Sequence, residues 1–231
     1  METAANLEMQ KRAAAEAAAA LVKDGMTVGL GTGSTARFVV DALGKKVAQG
    51  LQILGIPTSE ATAAQARNCK IPLSTLNLHP RIDLAIDGAD EVEKGSLNLI
   101  KGHGGALLRE KIVASSSSRF IVIVDGSKLV DRLGARFAVP VEVDQFGWMA
   151  TAKKLQALGC ETSIRRNEEG SEFVTDGDNY ILDCSFGLIS DVPALAREID
   201  GIVGVVEHGL FPGMTSKVLI GEDDCVQTLE P

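Results

Sequence analysis

The sequence predicts an α/β fold, in which a Rossmann-like open sheet domain carries an inserted smaller ferredoxin-like α+β domain. Three observations predict it. Short apolar runs that end in polar turns alternate with helical stretches over residues 27–124, which is typical of parallel strands joined by helices. Residues 137–207 follow the order strand, helix, strand, strand, helix, strand, the split βαβ pattern of ferredoxin-like domains. An apolar run at residues 218–220 is expected to rejoin the first sheet.

The domain boundaries follow from this order. Residues 1–133 and 209–231 are predicted to form the α/β domain, and residues 134–208 the smaller α+β domain. The alanine-rich residues 1–22 mix acidic and basic side chains, so they predict a helix and not a targeting segment. No later segment approaches ~18 consecutive apolar residues, so no membrane span is expected.

Each remaining element has a local signal. The run Phe120-Ile121-Val122-Ile123-Val124 is the clearest buried strand, because it is uninterrupted and stops at a polar turn. Other strands of the larger domain are predicted at residues 27–30, 51–54, 84–86 and 97–100, and its helices at residues 36–43, 60–68 and around Glu110. The smaller domain is predicted to have strands at residues 137–143, 161–165, 180–184 and 203–207, and helices at residues 146–158 and 192–199.

Composition and charge exclude several classes of function. The chain has 231 residues, of which 45% are hydrophobic and 23% charged, and its formal net charge is −8. The negative charge argues against nonspecific nucleic-acid binding and against an anionic membrane surface, since both require a basic face. The four cysteines, Cys69, Cys160, Cys184 and Cys225, show no C-x-x-C spacing. They predict reduced thiols, no metal site and a cytoplasmic location.

Four predicted strands end in turns with polar side chains. These are the hydroxyl groups that follow Gly31, the acids Asp87 and Asp90, and the lysines Lys101 and Lys128. In an open α/β sheet the carboxyl ends of parallel strands lie along one edge, and ligands bind there. Any one of these side chains could be solvated surface, so the prediction of a site depends on the agreement of all four strand ends.

The glycine loop Gly31-Thr32-Gly33-Ser34-Thr35-Ala36 satisfies the G-x-G-x-x-[GA] dinucleotide pattern. A dinucleotide site also requires an acid about 20 residues further on, and Gly55 and Ile56 occupy that region. Hydroxyl groups and backbone N–H groups at a helix start instead suit a single phosphate or sugar hydroxyls. A purely structural turn is the alternative.

Glu110 has an unusual predicted setting. Its neighbours three or four positions away are all apolar, namely Ala106, Leu107, Val113 and Ala114. A carboxylate in such surroundings suits proton transfer to and from a substrate, while Lys101 would stabilise negative charge that develops on oxygen. An ordinary surface position is the alternative for each of these charges.

The motifs stand in the order found in one known family, ribose-5-phosphate isomerase type A, which the chain resembles over essentially its whole length. The motifs that carry the resemblance are Gly31-Thr32-Gly33-Ser34-Thr35, Asp87-Gly88-Ala89-Asp90-Glu91, Lys101-Gly102-x-Gly104, Arg109-Glu110-Lys111 and Ser127-Lys128. The turn departs from the pattern of many members at His103.

The resemblance implies an isomerase that interconverts D-ribose 5-phosphate and D-ribulose 5-phosphate through an enediolate, in the non-oxidative branch of the pentose phosphate pathway. It implies that Glu110 is the base and that Asp87 and Lys101 complete the catalytic group. It further implies no metal and no cofactor, and we expect a homodimer or homotetramer. The implied substrate-binding residues are Thr32, Gly33, Ser34, Thr35, Asp87, Gly88, Ala89, Asp90, Lys101, Gly102, His103, Gly104 and Lys128.

Further candidates and two other functions stay open. Lys11 could reach the phosphate from the N-terminal helix, although an exposed lysine is the alternative. The histidines His79, His103 and His208 show no metal-ligand spacing. A coenzyme A transferase of similar fold would use a glutamate as nucleophile. A sugar-phosphate sensor would require a DNA-reading domain, which an acidic chain without a basic recognition helix does not offer.

Overall fold

A computed structural model describes residues 4–223 and 225–231. The predicted helix at residues 1–22 is observed from residue 4 onwards, and residues 1–3 lie outside the described part. The elements in chain order are α1 Ala4–Ala20, β1 Thr27–Leu30, α2 Ala36–Ala48, β2 Leu54–Pro57, α3 Glu60–Asn68, β3 Leu84–Asp87, β4 Glu91–Glu93, β5 Leu99–Ile100, α4 Leu107–Ser115, β6 Phe120–Asp125, β7 Leu129–Val130, β8 Val139–Val143, α5 Trp148–Gln156, β9 Glu161–Ile164, β10 Tyr180–Ser185, α6 Val192–Asp200, β11 Val205–His208, β12 Leu210–Phe211, β13 Lys217–Gly221 and β14 Val226–Leu229.

The chain divides into two compact units. The first contains the chain up to Ala89 together with Arg109–Lys128 and Met214–Pro231, and the second contains Asp90–Leu108 and Leu129–Gly213. These limits differ from the predicted domains, because residues 90–108 group with the second unit. The reason is a small sheet in the order β12-β5-β4-β7, whose strands all belong to that unit. Strands of two or three residues are too short to leave a periodic signal in the sequence.

The first unit is an open sheet with the strand order β14-β13-β6-β3-β1-β2. The pairs β13–β6, β6–β3, β3–β1 and β1–β2 are all parallel, and β14 is antiparallel to β13. Every residue of β6 is buried, as expected for a central strand with both faces covered. The apolar run that returns at residues 218–220 lies in β13 and joins this sheet, as the sequence predicts.

The second strand lies three residues later than predicted, at Leu54–Pro57 instead of residues 51–54. Gly55 and Pro57 favour a turn when only local sequence is considered. In the sheet, Gly55 pairs with Val28, and a Cβ on Gly55 would lie 2.7 Å from Cδ1 of Leu30. Pro57 is tolerated because β2 is an edge strand. Close packing against β1 therefore overrides the local turn preference.

Helix α4 returns the chain from β3 to its parallel neighbour β6, so it must run opposite to the strands. The residue just after α4 confirms this direction, since Ser116 O accepts a hydrogen bond at 3.0 Å from Ile82 N, which lies just before β3. One face of α4 packs on β1, where a Cβ on Gly29 would lie 2.5 Å from Cγ1 of Val113. The first turn of α4, with Glu110, consequently lies at the carboxyl edge of the sheet.

The second unit contains an antiparallel sheet with the strand order β11-β8-β10-β9. With α5 after β8 and α6 after β10, its chain order is strand, helix, strand, strand, helix, strand. The predicted ferredoxin-like arrangement is therefore confirmed. The apolar side chains of β8 and β10 form a separate core with both helices, which includes Val141, Leu155, Leu182 and Ile199.

In the described part of the chain, no helix combines the length and the hydropathy needed to cross a lipid bilayer.

Candidate active site

In the first unit, the end of β3 is packed directly against the glycine loop. Oδ1 of Asp87 accepts hydrogen bonds from Thr32 N at 3.1 Å and from Gly88 N at 2.7 Å, and Asp87 is 3% exposed. The loop comes this close because residue 31 has no side chain: a Cβ on Gly31 would lie 2.2 Å from Oδ1 of Asp87. The Asp87 carboxylate is thus held by main-chain donors and oriented within the site.

Replacing Gly31 with alanine is expected to lower turnover at least ~10-fold, because the added methyl group must push Asp87 away and a ~1 Å misplacement can cost ~10²-fold. Besides Oδ1, the new Cβ would lie 2.6 Å from Cα of Asp87, so a side-chain rotation cannot relieve the contact. Gly201→Ala is the matched control, since a Cβ there meets nothing closer than 3.5 Å. Steady-state kinetics of both variants test the prediction, and wild-type turnover in Gly31→Ala would contradict it.

A cluster of hydroxyl groups lies behind the glycine loop. Thr32 Oγ1 lies 2.7 Å from Thr58 Oγ1, 2.8 Å from Ser59 Oγ and 3.1 Å from Thr62 Oγ1. Thr62 Oγ1 also donates to Gly31 O at 3.0 Å, which ties helix α3 to the loop. The Thr32 hydroxyl is therefore engaged in hydrogen bonds within the protein, while Gly33 and Ser34 are exposed at the start of α2. Sequence reasoning missed this cluster because it placed the second strand too early.

A positively charged side chain lies beside the glycine loop. Lys11 Nζ is 3.5 Å from Ser34 Oγ and 3.9 Å from Oδ2 of Asp125, the last residue of β6. The Asp125 carboxylate, 1% exposed, also accepts hydrogen bonds from Ser127. Lys128 ends the short 3₁₀ turn that follows β6, so it lies at the same edge of the sheet. Lys11 was a minor candidate in the sequence analysis and Asp125 was missed, because only their contacts in the folded chain place them beside the glycine loop.

Glu110 is 4% exposed and lies in the first turn of α4. Val113 and Ala114, on the same face of the helix, are also buried, at 4% and 5% exposure. The first unit therefore brings five of the predicted elements to one sheet edge: the glycine loop, Asp87, the Gly88-Ala89 backbone, Glu110 and Lys128.

In the second unit, Lys101 follows β5 and is 2% exposed. Its backbone N–H donates to Gly209 O at 2.8 Å, and its Nζ lies 5.7 Å from the centroid of the Phe211 ring. Gly209 must be a glycine for this contact, because a Cβ there would lie 2.1 Å from Lys101 O. The strand β12 thereby anchors the residue that was predicted to stabilise charge.

The turn after Lys101 is held by neighbouring loops of the same unit. Oδ2 of Asp90 accepts a hydrogen bond from His103 N at 2.9 Å. The His103 ring packs edge-on against Phe137, with centroids 5.2 Å apart. Glu91, 0% exposed, accepts backbone hydrogen bonds from Gly134 and Phe137 and so fixes that loop. Asp90 and residues 101–104 therefore form one connected group. The sequence analysis placed Lys101 at the edge of the open parallel sheet, but β5, which precedes it, belongs to the separate sheet β12-β5-β4-β7 and pairs antiparallel with β4.

One cluster with metal-ligand chemistry is present in the described residues, formed by Asp200, Glu207 and His208. Leu210 N donates to Nδ1 of His208 at 3.1 Å, so the ring proton of the neutral imidazole must be on Nε2. Nε2 lies 3.1 Å from Oδ1 of Asp200 and can donate to it. Metal-binding histidines have the opposite arrangement, with the second nitrogen as a donor. This cluster is a hydrogen-bonded pair and fits a metal poorly.

Buried carboxylates, a glycine loop at a helix start and lysines at the carboxyl edge of an open parallel sheet define a class of protein: an α/β enzyme that holds an anionic small molecule and transfers protons. Comparison with known proteins gives the particular family. The family model for Ribose 5-phosphate isomerase A (phosphoriboisomerase A) matches residues 54–225. The ribose-5-phosphate isomerase A of Synechococcus sp. (strain JA-3-3Ab) is 56% identical over 226 residues, which cover 97% of this chain and 98% of that protein.

Solved structures agree. The ribose 5-phosphate isomerase A from Methanocaldococcus jannaschii is 43% identical, with a TM-score of 0.92 over 96% of this chain and 98% of that chain. A D-ribose-5-phosphate isomerase in complex with phospho-erythronic acid is 38% identical, with a TM-score of 0.95 over 98% of this chain and 100% of that chain. The chain belongs to the ribose 5-phosphate isomerase A family, and the family and fold class predicted from the sequence are confirmed.

Proposed function

We propose that this chain interconverts D-ribose 5-phosphate and D-ribulose 5-phosphate, the aldose–ketose isomerisation for which its family is named. The observation that carries the proposal is the burial of Glu110 at the sheet edge where Asp87 is locked against the glycine loop. An isomerase of this kind requires a base sheltered from water and a fixed group that handles hydroxyl protons. Both requirements are met by side chains of the first unit.

The chemistry assigns one step to each charged side chain. Glu110 removes the proton from C2 of the open-chain aldose and returns it to C1, so that the C=O and C–OH groups exchange places through an enediolate. Lys101 stabilises the negative charge that develops on the substrate oxygen. Asp87 exchanges protons with substrate hydroxyls, a role that its two backbone hydrogen bonds prepare by fixing its orientation. The Asp90 carboxylate accepts a hydrogen bond from His103 N and so helps to hold the turn that carries Lys101.

The phosphate group is assigned to the glycine loop and its lysines. Gly33 and Ser34 are exposed at the N-terminal end of α2, where backbone N–H groups attract anions. Lys11, beside Ser34, and Lys128, after β6, supply positive charge on a chain that is acidic overall. The phospho-erythronic acid bound by a relative carries a phosphate and a carboxylate, which supports an anion site of this kind in the family.

Replacing Lys128 with alanine is expected to raise KM for the phosphorylated sugar more than it lowers kcat, because the lysine contacts a part of the substrate that does not react. Loss of one charged hydrogen bond of ~1.5–3 kcal/mol corresponds to a ~10–100-fold rise in KM. Lys23→Ala is the control, since Lys23 is exposed before β1, at the opposite edge of the sheet. An unchanged KM in Lys128→Ala would show that Lys128 is only a surface residue.

The activity itself is tested with purified chain and D-ribose 5-phosphate, by following the appearance of the ketose. Failure to isomerise would overturn the proposal. Incubation with an acyl-coenzyme A and mass analysis tests the transferase alternative, in which a glutamate would carry a covalent thioester. We expect no such adduct.

We also propose that the chain works in the cytoplasm as a homodimer or homotetramer. All four cysteines lie in the described part of the chain and none forms a disulfide, which suits a reducing compartment. Exposed apolar side chains of the second unit, including Phe146 at 93% and Val203 at 81%, support self-association. Light scattering of the purified chain and cell fractionation measure these two properties.

A further inference from the structure

A backbone hydrogen bond closes the turn of residues 101–104, because Gly105 N donates to Gly102 O at 3.0 Å. Gly102 has a φ of +102° and the following Gly105 a φ of +81°. At Gly104 nothing lies within 4 Å of the position a Cβ would take. Glycine has the greatest backbone freedom of any residue, so one such hydrogen bond restrains the turn only weakly, and contacts from outside the turn add to its stability. Because Lys101 is the first residue of this turn, those contacts act together with the hydrogen bond from Lys101 N to Gly209 O in positioning its side chain.

Arg165 supplies such contacts. Its Nη1 donates to Gly102 O at 2.7 Å and to His103 O at 3.0 Å. Its Nε donates to Oδ2 of Asp183 at 3.0 Å, and its Nη2 pairs with Oδ1 of the same carboxylate. The side chains of Arg165 and Asp183 are only 11% and 23% exposed. A planar guanidinium has five N–H donors and can make these four hydrogen bonds at once, whereas an ammonium has only three donors.

The guanidinium reaches the turn from a rigid support. Arg165 directly follows β9, and its backbone N–H donates to Ile181 O in β10 at 2.9 Å. Its carbonyl accepts a hydrogen bond from Phe173 N at 2.9 Å. The Phe173 ring in turn fills the space beside Gly105, where a Cβ would lie 2.4 Å from Cζ. The ferredoxin-like sheet therefore holds the turn both through hydrogen bonds and through packing.

We propose that Arg165, held by Asp183, is a positioning residue for Lys101: by binding the carbonyls of Gly102 and His103, it keeps Lys101 where it stabilises the charge of the enediolate. This inference rests on the role of Lys101 under the proposed function. Under this inference the ferredoxin-like sheet β11-β8-β10-β9 contributes to catalysis by holding Arg165. Arg165 acts only through the turn and contacts no reacting atom.

Arg165→Ala is expected to lower kcat ~10–100-fold, the range that follows from a misplacement of up to ~1 Å, with KM changed less than ~3-fold, because the phosphate contacts remain. Arg165→Lys should restore little of the lost kcat, since a lysine lacks the planar set of N–H donors of a guanidinium. The matched control is Arg166→Ala. In the wild-type chain the Arg166 guanidinium pairs with Glu172, whose side chain is partly exposed, at 3.0 Å. Arg166→Ala should retain wild-type kcat. An Arg165→Ala variant with kcat within twofold of wild type would overturn the inference.

A purely structural role is separated from positioning by a double variant. If Arg165 acts through Lys101, adding Arg165→Ala to Lys101→Met should leave the residual kcat unchanged, whereas general destabilisation would lower it further and overturn the inference. If Arg165→Ala does not fold, Asp183→Asn is measured instead, and a kcat fall of at least ~3-fold is required. Full activity of Lys101→Met alone would refute the proposed role of Lys101, a failure distinct from that of Arg165.

Discussion

Glu110→Gln is expected to reduce kcat by at least ~10²–10⁴-fold, the contribution that a positioned general base typically makes. Glutamine keeps the shape and the hydrogen-bonding reach of the side chain but cannot accept the proton from C2. Glu110 is 4% exposed, so water cannot readily replace it as the base. KM should change little, because the phosphate contacts belong to other residues. Near-normal turnover in this variant would remove Glu110 from the mechanism.

The matched control for this variant is Glu60→Gln. Glu60 occupies the first turn of α3 as Glu110 occupies the first turn of α4, but its side chain is 68% exposed and pairs with Arg109. The same carboxylate-to-amide change there should leave kcat within about twofold of wild type, since surface ion pairs contribute little. Any general effect of the substitution on a helix start would appear in both variants.

Reaction in deuterated water gives an independent check on Glu110. A proton held by a carboxylate can exchange with solvent, whereas a hydride shifted directly between two carbons cannot. We expect the wild-type product to carry some deuterium at the carbon that receives the proton. Glu110→Gln should show neither isomerisation nor exchange, and exchange at the wild-type rate in the variant would assign the base to another residue.

Lys101→Met is the second change with a large expected effect. Removing a charged group that stabilises a developing oxyanion typically costs ~10²–10³-fold in kcat. Methionine keeps much of the length and the apolar contacts of a side chain that is 2% exposed, so the fold should tolerate it. The loss should fall on kcat and kcat/KM alike, because the charge develops mainly in the transition state.

Lys94→Met is the control for Lys101. Lys94 belongs to the same unit, but its side chain is 56% exposed and pairs with Asp131 at 2.9 Å. Its replacement should leave kinetics unchanged. If Lys101→Met retained wild-type kcat while Glu110→Gln was inactive, charge stabilisation would have to come from another group, and Lys101 would be a structural lysine stacked on Phe211.

Much of the larger sheet could be predicted from local sequence. The strand at residues 120–124, the helix Glu60–Asn68 and the return of residues 218–220 to the sheet all follow from uninterrupted or periodic apolar patterns. The strand β2 was placed three residues early, because Gly55 and Pro57 favour turns locally and are tolerated only through the packing of an edge strand on β1. The strands β4, β7 and β12 were missed because each is at most three residues long.

The sequence by itself determined the order of the longer helices and strands and the ferredoxin-like pattern. It also placed Asp87 at a strand end, Lys101 in a glycine-rich turn and Glu110 in a helix, because burial, period and turn chemistry are properties of neighbouring residues. Tertiary structure alone decided how those side chains are held. The contacts of Asp87 with the loop at Gly31, and of Arg165 with the turn at Gly102, join residues 55 to 63 positions apart. Such hydrogen bonds leave no periodic trace in the chain, since they depend on which strand ends the fold brings together.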